Sequence, residues 1–153
     1  HLDALLVSVR NDLCCDVLDA ALGSDLPVLF EKPGAIQASD LRRVAQKAEL
    51  NRIPMGVMYT NRWSPEMKDV RKIVKGGGLG KVMAVESRMV TSQVRYRDPK
   101  HWLFSKKFAG SGILSWLACH HIDLFCYLFF HQPPTSIFSN HCFNFDVKVV
   151  SYY

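Results

Sequence analysis

A glutamate–lysine–proline triplet, Glu31 to Pro33, follows directly after an apolar run at residues 26–30. A short apolar run of this kind is typical of a parallel strand buried on both faces, and a proline after it ends the strand. Open α/β sheets bind their ligands in the crevice outside the carboxyl ends of the strands, so Lys32 is a candidate for proton transfer at such a site. A solvated ion pair that opens an ordinary loop explains the triplet equally well.

A histidine and an aspartate lie close together in a later apolar segment, residues 113–130, which contains no lysine or arginine. His120 and Asp123 share one face if this segment is a helix. A carboxylate at that spacing can fix the tautomer of an imidazole and raise its basicity, as a proton-handling histidine requires. A core histidine without chemistry is the alternative. A metal site is disfavoured, because the adjacent residues Cys119, His120 and His121 point in different directions on a helix.

Alternating strand and helix patterns surround the triplet. Three apolar runs predict strands: residues 3–9, 26–30 and 53–59. A helical pattern separates each pair of runs; the first ends at Gly23, and the second has Ser39 or Asp40 as its predicted N-cap. Connections of this length predict right-handed parallel crossovers. The sequence therefore predicts an α/β fold in which residues 1–59 form half of a doubly wound parallel sheet.

A different pattern begins after residue 59. Ser64 is the predicted N-cap of a helix, and Pro65 occupies its first position. The glycines 76–78 end this helix. Residues 81–91 alternate in polarity and predict a long strand of an antiparallel or mixed sheet, separate from the first one. We therefore expect residues 60–153 to form part of a second domain.

Composition argues against several classes of protein. The 153 residues are 48% hydrophobic and 22% charged, which is typical of a globular protein. A net charge of +5 is spread along the chain, which argues against a nucleic-acid partner. Five cysteines without a CxxC pair favour a reducing compartment, the cytoplasm. Residues 113–130 approach the length of a membrane span, but Asp123 and two histidines favour a helix buried in protein.

Five landmarks, in this order, resemble the glucose–fructose oxidoreductase/inositol dehydrogenase/MocA superfamily. They are Glu31-Lys32-Pro33, Asn61-Arg62 with Pro65 soon after, Leu79-Gly80-Lys81-Val82, Gly110-Ser111-Gly112, and the stretch from His120 to Asp123. The resemblance covers the chain from about residue 3 to residue 130. It implies a Rossmann domain followed by an α/β domain with an open, largely antiparallel sheet. It also implies NAD(P)-dependent oxidation or reduction of a sugar or related polyol.

The resemblance also implies roles for individual residues. Lys32 would be the catalytic lysine, and His120 the histidine of the family's Asp-x-x-x-His motif. The residues implied at the cofactor, NAD or NADP, are Ser8, Asn11, Glu31, Lys32, Pro33 and Arg62. Those implied at a sugar-like substrate are Trp102, Trp116, His121 and Asp123. No metal is expected, and the protein would form a homo-oligomer. Hydride leaves a carbinol carbon only if a base takes the hydroxyl proton, which is the work expected of Lys32 and His120.

Three features depart from the family pattern. No G-x-G-x-x-G motif precedes residue 110, so we expect that the chain lacks the start of its nucleotide domain and the helix N-terminus that holds a pyrophosphate. Trp116 occupies the motif's aspartate position, four before His120. Arg10 and Cys14 stand where the family often has a proline and a histidine. Two functions remain: part of an oxidoreductase, or a non-catalytic module of the same fold that binds a nucleotide or a partner.

Overall fold

The structure is a computed structural model that describes residues 1–129, 136–142 and 144–150. Its strands are β1 Leu5–Val7, β2 Val28–Phe30, β3 Met55–Val57, β4 Val85–Met89, β5 Ser136–Cys142 and β6 Asn144–Val150. Its α-helices are α1 Cys14–Ala21, α2 Ala38–Leu50, α3 Pro65–Lys75, α4 Lys106–Ala109 and α5 Cys119–Phe129. Short 3₁₀ turns lie at Leu22–Ser24, Thr60–Trp63, Gln93–Tyr96 and Trp102–Phe104, and a π-helical turn, Leu114–Ala118, precedes α5.

The chain divides into two compact units. The first consists of His1–Met58 with Asp98–Trp116, and the second of Tyr59–Arg97 with Leu117–Tyr153. The domain boundary that the sequence predicts after residue 59 stays a prediction.

A parallel sheet in the order β1-β2-β3 forms the centre of the first unit, as the sequence predicts. Its core is one cluster of buried side chains from the sheet and the two crossover helices: Val7, Cys14, Leu18, Leu22, Val28, Phe30, Val44, Ala48 and Ile53. Phe30, Leu18 and Val44 are at most 1% exposed. Burying side chains of this size contributes about 1.5–3 kcal/mol each, so this layer is the main source of stability in the unit.

The opposite face of the same sheet is open, contrary to the prediction of a strand buried on both faces. Leu29 is 43% exposed between the buried residues Val28 and Phe30, and its neighbour in the register, Leu6, is 65% exposed. The crossover helices α1 and α2 pack on the same face of the sheet. The core that they form with it contains Val7, Val28 and Phe30, and not Leu6 or Leu29. Side chains alternate across a strand, so one covered face leaves every second residue uncovered.

Replacing Leu6 with lysine should therefore leave the first unit folded and reduce self-association. A charge on an exposed strand residue costs little and discourages association between apolar faces. The matched control is Val7→Lys, on the covered face at 6% exposure, which should abolish cooperative unfolding. Light scattering against concentration and urea unfolding measure the two effects. Equal destabilisation by the two lysines would mean that the Leu6 face is covered after all.

The N-terminus of α2 differs from the sequence prediction. Helix α2 begins at Ala38 after an extended Gln37, so Ser39 and Asp40 lie in the first turn, and neither is the N-cap. An acidic residue there still interacts favourably with the helix dipole, which explains why the pattern resembled a cap.

Helix α3 and strand β4 of the second unit follow the sequence more closely. The hydroxyl of Ser64 accepts a hydrogen bond from the Met67 amide at 3.3 Å, which confirms the predicted N-cap, and Gly76 follows the last residue of the helix. Strand β4 is shorter than the predicted 81–91. It pairs antiparallel with β6 in a sheet of the order β4-β6-β5, which confirms a strand outside the parallel sheet.

One segment of the described chain, Lys106–Phe129, is long and apolar enough to cross a membrane by length and composition alone, and 22% of its 18-residue apolar window is buried. Residues 110–112 interrupt its helical structure, because Gly110 and Gly112 have φ of 80° and 57°. From Leu114 to Phe129 most side chains are half-buried, and Ala118, Asp123, Phe125 and Leu128 are buried.

Candidate functional site

Lys32 lies directly beyond the carboxyl end of β2. The Glu31 amide, one residue earlier, donates to the Val7 carbonyl at 2.9 Å and so continues the parallel ladder. The peptide bond between Lys32 and Pro33 is cis. The Lys32 ammonium donates a hydrogen bond to the main-chain carbonyl of Trp116, 84 positions later in the chain. The lysine is therefore held in place at the edge of the sheet where open α/β folds bind ligands.

A hydrogen bond joins the turn that precedes Trp116 to the same edge of the sheet. The side-chain amide of Asn11, which follows β1, donates to the Ala109 carbonyl at 3.1 Å. Gly110 has a φ of 80°, which favours glycine, and an added Cβ would be in ordinary contact with Cγ2 of Ile36 at 3.4 Å. Asn11 and Lys32, which follow neighbouring strands, thus both donate to main-chain carbonyls of the segment 109–116.

A close approach to a glycine lies just after the triplet. Gly34 has a φ of 83°, and an added Cβ would overlap the ring of Phe30. The Cys15 thiol donates to the Gly34 carbonyl at 3.5 Å. Burial raises the pKa of the neighbouring Cys14 thiol to about 11, so this thiol is protonated at neutral pH and unreactive.

The other residues that the resemblance assigns to a cofactor lie at the ends of β1 and β2. Ser8 follows β1 and is exposed, and Glu31 and Pro33 flank Lys32 and are half-buried. Their assignment to a cofactor stays a prediction, as does that of Asn11.

Aromatic rings of the first unit form a further pair. The rings of His101 and Trp102 stack with centroids 5.6 Å apart, and His101 Nδ1 accepts from the Leu103 amide at 3.2 Å. Trp102 is half-buried, so part of its surface is accessible. Its predicted contact with a substrate stays a prediction.

His120 and His121 belong to the second unit, and they point in different directions, as expected for adjacent helical residues. His120 meets the ring of Tyr59 edge to face, with centroids 6.0 Å apart. His121 Nδ1 and the Ser87 hydroxyl of β4 are 2.6 Å apart, so His121 ties α5 to the antiparallel sheet. Burial lowers the pKa of His121 below its usual value. Because Lys32 and His120 lie in different units, their pairing stays a prediction.

The burial of His121 predicts a dependence of stability on pH. Its neutral form is favoured in the folded protein, so the unfolded chain takes up a proton first as the pH falls. The contribution of His121 to the free energy of unfolding should be fully present above about pH 6.5. It should decrease as the pH falls from there toward the lowered pKa of His121 in the folded protein. Urea unfolding between pH 7.5 and 5 measures this loss. His121→Gln should flatten the profile in this range, and an unchanged slope would contradict the assignment.

Asp123 forms an ion pair that the sequence pattern does not predict. Both of its carboxylate oxygens accept from the Arg62 guanidinium, one of them from Nε at 2.9 Å. The Asp123 side chain is only 6% exposed, and that of Arg62 is 33% exposed. The carboxylate expected beside His120 is thus held by Arg62, and the predicted roles of Asp123 at a substrate and of Arg62 at a cofactor stay predictions.

Two tyrosines and a second arginine surround this ion pair. Arg62 lies 5.3 Å from the centroid of the Tyr127 ring and 6.0 Å from that of Tyr59, and Arg71 lies 4.0 Å from that of Tyr127. Burial raises the pKa of Tyr59 to about 12. The signal that could have revealed part of this cluster is the spacing of Asp123 and Tyr127, one helical turn apart.

Comparison with known proteins gives the same fold. The GFO/IDH/MocA C-terminal domain family matches residues 67–148. Inositol 2-dehydrogenase of Corynebacterium glutamicum is 34% identical over 129 residues, which cover 74% of this chain and 37% of that protein. Rhizopine catabolism protein MocA of Rhizobium meliloti is 29% identical over 85 residues, 56% of this chain and 27% of that protein. The structure of levoglucosan dehydrogenase in complex with NADH and levoglucosan has a TM-score of 0.78 at 23% identity, covering 89% of this chain and 36% of that one.

These matches show an α/β fold, in agreement with the predicted fold class. The chain belongs to the GFO/IDH/MocA family, which confirms the resemblance. It spans about a third of the length of the relatives that match most of it.

Proposed function

We propose that the chain is part of an NAD(P)-dependent oxidoreductase that acts on a sugar or polyol by hydride transfer. The observation that carries this proposal is the position of Lys32, which lies beyond the carboxyl end of a parallel strand and is held there by the Trp116 carbonyl. Family membership supports it, as do the names of the relatives: an inositol 2-dehydrogenase, and a levoglucosan dehydrogenase solved with NADH.

The residues present suit one end of a nicotinamide dinucleotide. Lys32 and Asn11 are polar, half-buried and fastened at the carboxyl edge of the parallel sheet. They suit the region around a nicotinamide ring, with Ser8, Glu31, Pro33 and Arg62 as further contacts. The sequence has no glycine-rich phosphate loop before residue 110, so these residues would not hold the pyrophosphate. NAD or NADP, when bound, supplies a ring that accepts or donates hydride.

We propose that the protein's own residues transfer the proton and orient the substrate. Lys32 takes the proton of the substrate hydroxyl as hydride leaves the carbinol carbon, and His120 shares the proton relay. Trp102, Trp116, His121 and Asp123 are the proposed substrate contacts. We further propose a cytoplasmic homo-oligomer, supported by cysteine usage in the sequence and by the exposed apolar side chains of the second unit, such as Met83 and Val90.

A second candidate function is a non-catalytic module of the same fold that binds a nucleotide or a partner. The observation that favours it is Trp116, which stands at the aspartate position of the family motif. An indole cannot act as a general acid or base, and it could either reshape a sugar pocket or fill it.

Trp116→Asp separates the two candidates. If the protein is an oxidoreductase that has lost a carboxylate, we expect restoring it to raise turnover, by about tenfold or more, since an acid–base group contributes roughly a hundred- to ten-thousandfold. Reduction of NAD⁺ with inositol or levoglucosan measures this, with Trp116→Phe as the aromatic control. NAD⁺ binding without turnover in all variants would favour the binding module.

A further inference from the structure

The main-chain carbonyl of Trp116 is part of a π-helical turn. In a π-helical turn the regular hydrogen bonds of the α-helix are interrupted, and such turns are frequent at functional sites. A main-chain carbonyl has two lone pairs, so it can accept from a donor outside its own helix. At Trp116 that donor is the Lys32 ammonium.

Lys32 is held by the main chain and not by an acid. Among the residues whose side chains the structure describes, no carboxylate forms an ion pair with Lys32. The turn that contains the Trp116 carbonyl is itself held by hydrogen bonds. The Trp116 amide donates to the Gly112 carbonyl at 3.0 Å, and the preceding turn is fastened through Ala109 to Asn11.

One hydrogen bond of this kind restricts the orientation of an amine. A neutral amine nitrogen carries two hydrogens and one lone pair in tetrahedral directions. When one N–H points at a carbonyl, the lone pair must lie along one of the remaining directions. A base oriented in this way needs less reorganisation before it takes a proton.

We propose that the main-chain carbonyl of Trp116 positions Lys32 for proton transfer, so that the orientation of the lysine does not depend on the side chain at position 116. The proposal rests on the proposed function and deepens it. In the step concerned, the proton of the substrate hydroxyl moves to the Lys32 amine, which becomes an ammonium group. Position 116 can therefore hold an indole without displacing the lysine.

The test weakens the carbonyl and leaves the side chains unchanged. The amide between Trp116 and Leu117 is replaced by an ester, whose carbonyl is a poorer acceptor. The matched control is an ester between Leu117 and Ala118, which also removes one main-chain N–H from the same turn. Trp116→Phe changes the side chain alone. The Lys32 side-chain NMR signals, assigned with Lys32→Arg, report its orientation without any need for turnover.

We expect the ester at Leu117 to shift the Lys32 signals and to lower kcat for NAD⁺ reduction with inositol by about threefold to tenfold, with KM within about twofold. The control ester and Trp116→Phe should leave the Lys32 signals in place. Lys32 signals that respond to Trp116→Phe but not to the ester at Leu117 would overturn the proposal. Absence of turnover in the unmodified protein would count against the proposed function, while the NMR signals would still decide what positions Lys32.

Discussion

Lys32→Met should lower kcat by about a hundred- to ten-thousandfold, the usual contribution of an acid–base group. Methionine keeps most of the length and bulk of the lysine stem but cannot take a proton. It also cannot donate to the Trp116 carbonyl, so the site loses both the base and the contact that orients it. The Kd for NAD⁺ should change far less than kcat, because an interaction made with the reacting hydroxyl acts in the transition state.

Stopped-flow reduction of NAD⁺ and a separate titration of NAD⁺ binding measure the two quantities. Lys75→Met is the matched control, because this lysine is exposed at the end of α3, in the second unit. Its kcat should stay within about twofold of that of the unmodified protein. A Lys32→Met variant with nearly full turnover would exclude Lys32 as the base.

Arg62→Leu should lower the free energy of unfolding by about 3 kcal/mol, the lower end of the range for breaking a buried ion pair. The lower end applies because a third of the Arg62 side chain is exposed and water screens the pair in part. The cost arises from Asp123, which would be left as a buried carboxylate without its bidentate partner.

The double variant Arg62→Leu with Asp123→Leu tests this reason. Removing both charges leaves no unpaired carboxylate, so it should recover much of the stability lost in the single variant. Lys72→Met removes the exposed ion pair with Asp69 and serves as the control, with no measurable change expected in the urea midpoint. If the double variant is as unstable as Arg62→Leu, the loss would instead come from the contacts of Arg62 with Tyr59 and Tyr127.

Much of the fold could be predicted from local patterns in the sequence. Apolar runs separated by helical periodicity predicted the parallel strands, and Ser64 with Pro65 predicted the start of α3. These features depend on neighbours in the chain, through backbone hydrogen bonding and side-chain alternation. The Glu-Lys-Pro triplet after an apolar run likewise indicated the end of a strand, because charge and proline both interrupt a buried ladder.

The features that could not be predicted from the sequence depend on residues that are distant in the chain. The π-helical turn at Leu114–Ala118 lies within the segment 113–130 that was expected to be a helix, and hydrophobic periodicity does not distinguish such a turn from a regular helix. The open face of Leu6 and Leu29 depends on which side of the sheet the two crossovers cover.

The sequence by itself determined that a lysine stands at the end of a parallel strand and that an aspartate lies on an apolar helix. Only the tertiary structure decided that the lysine binds the Trp116 carbonyl and that the aspartate binds Arg62, residues 84 and 61 positions away. The physical reason is that a buried charge or donor takes the partner that folding brings within about 3 Å, and sequence spacing limits this choice only within a helix or a turn.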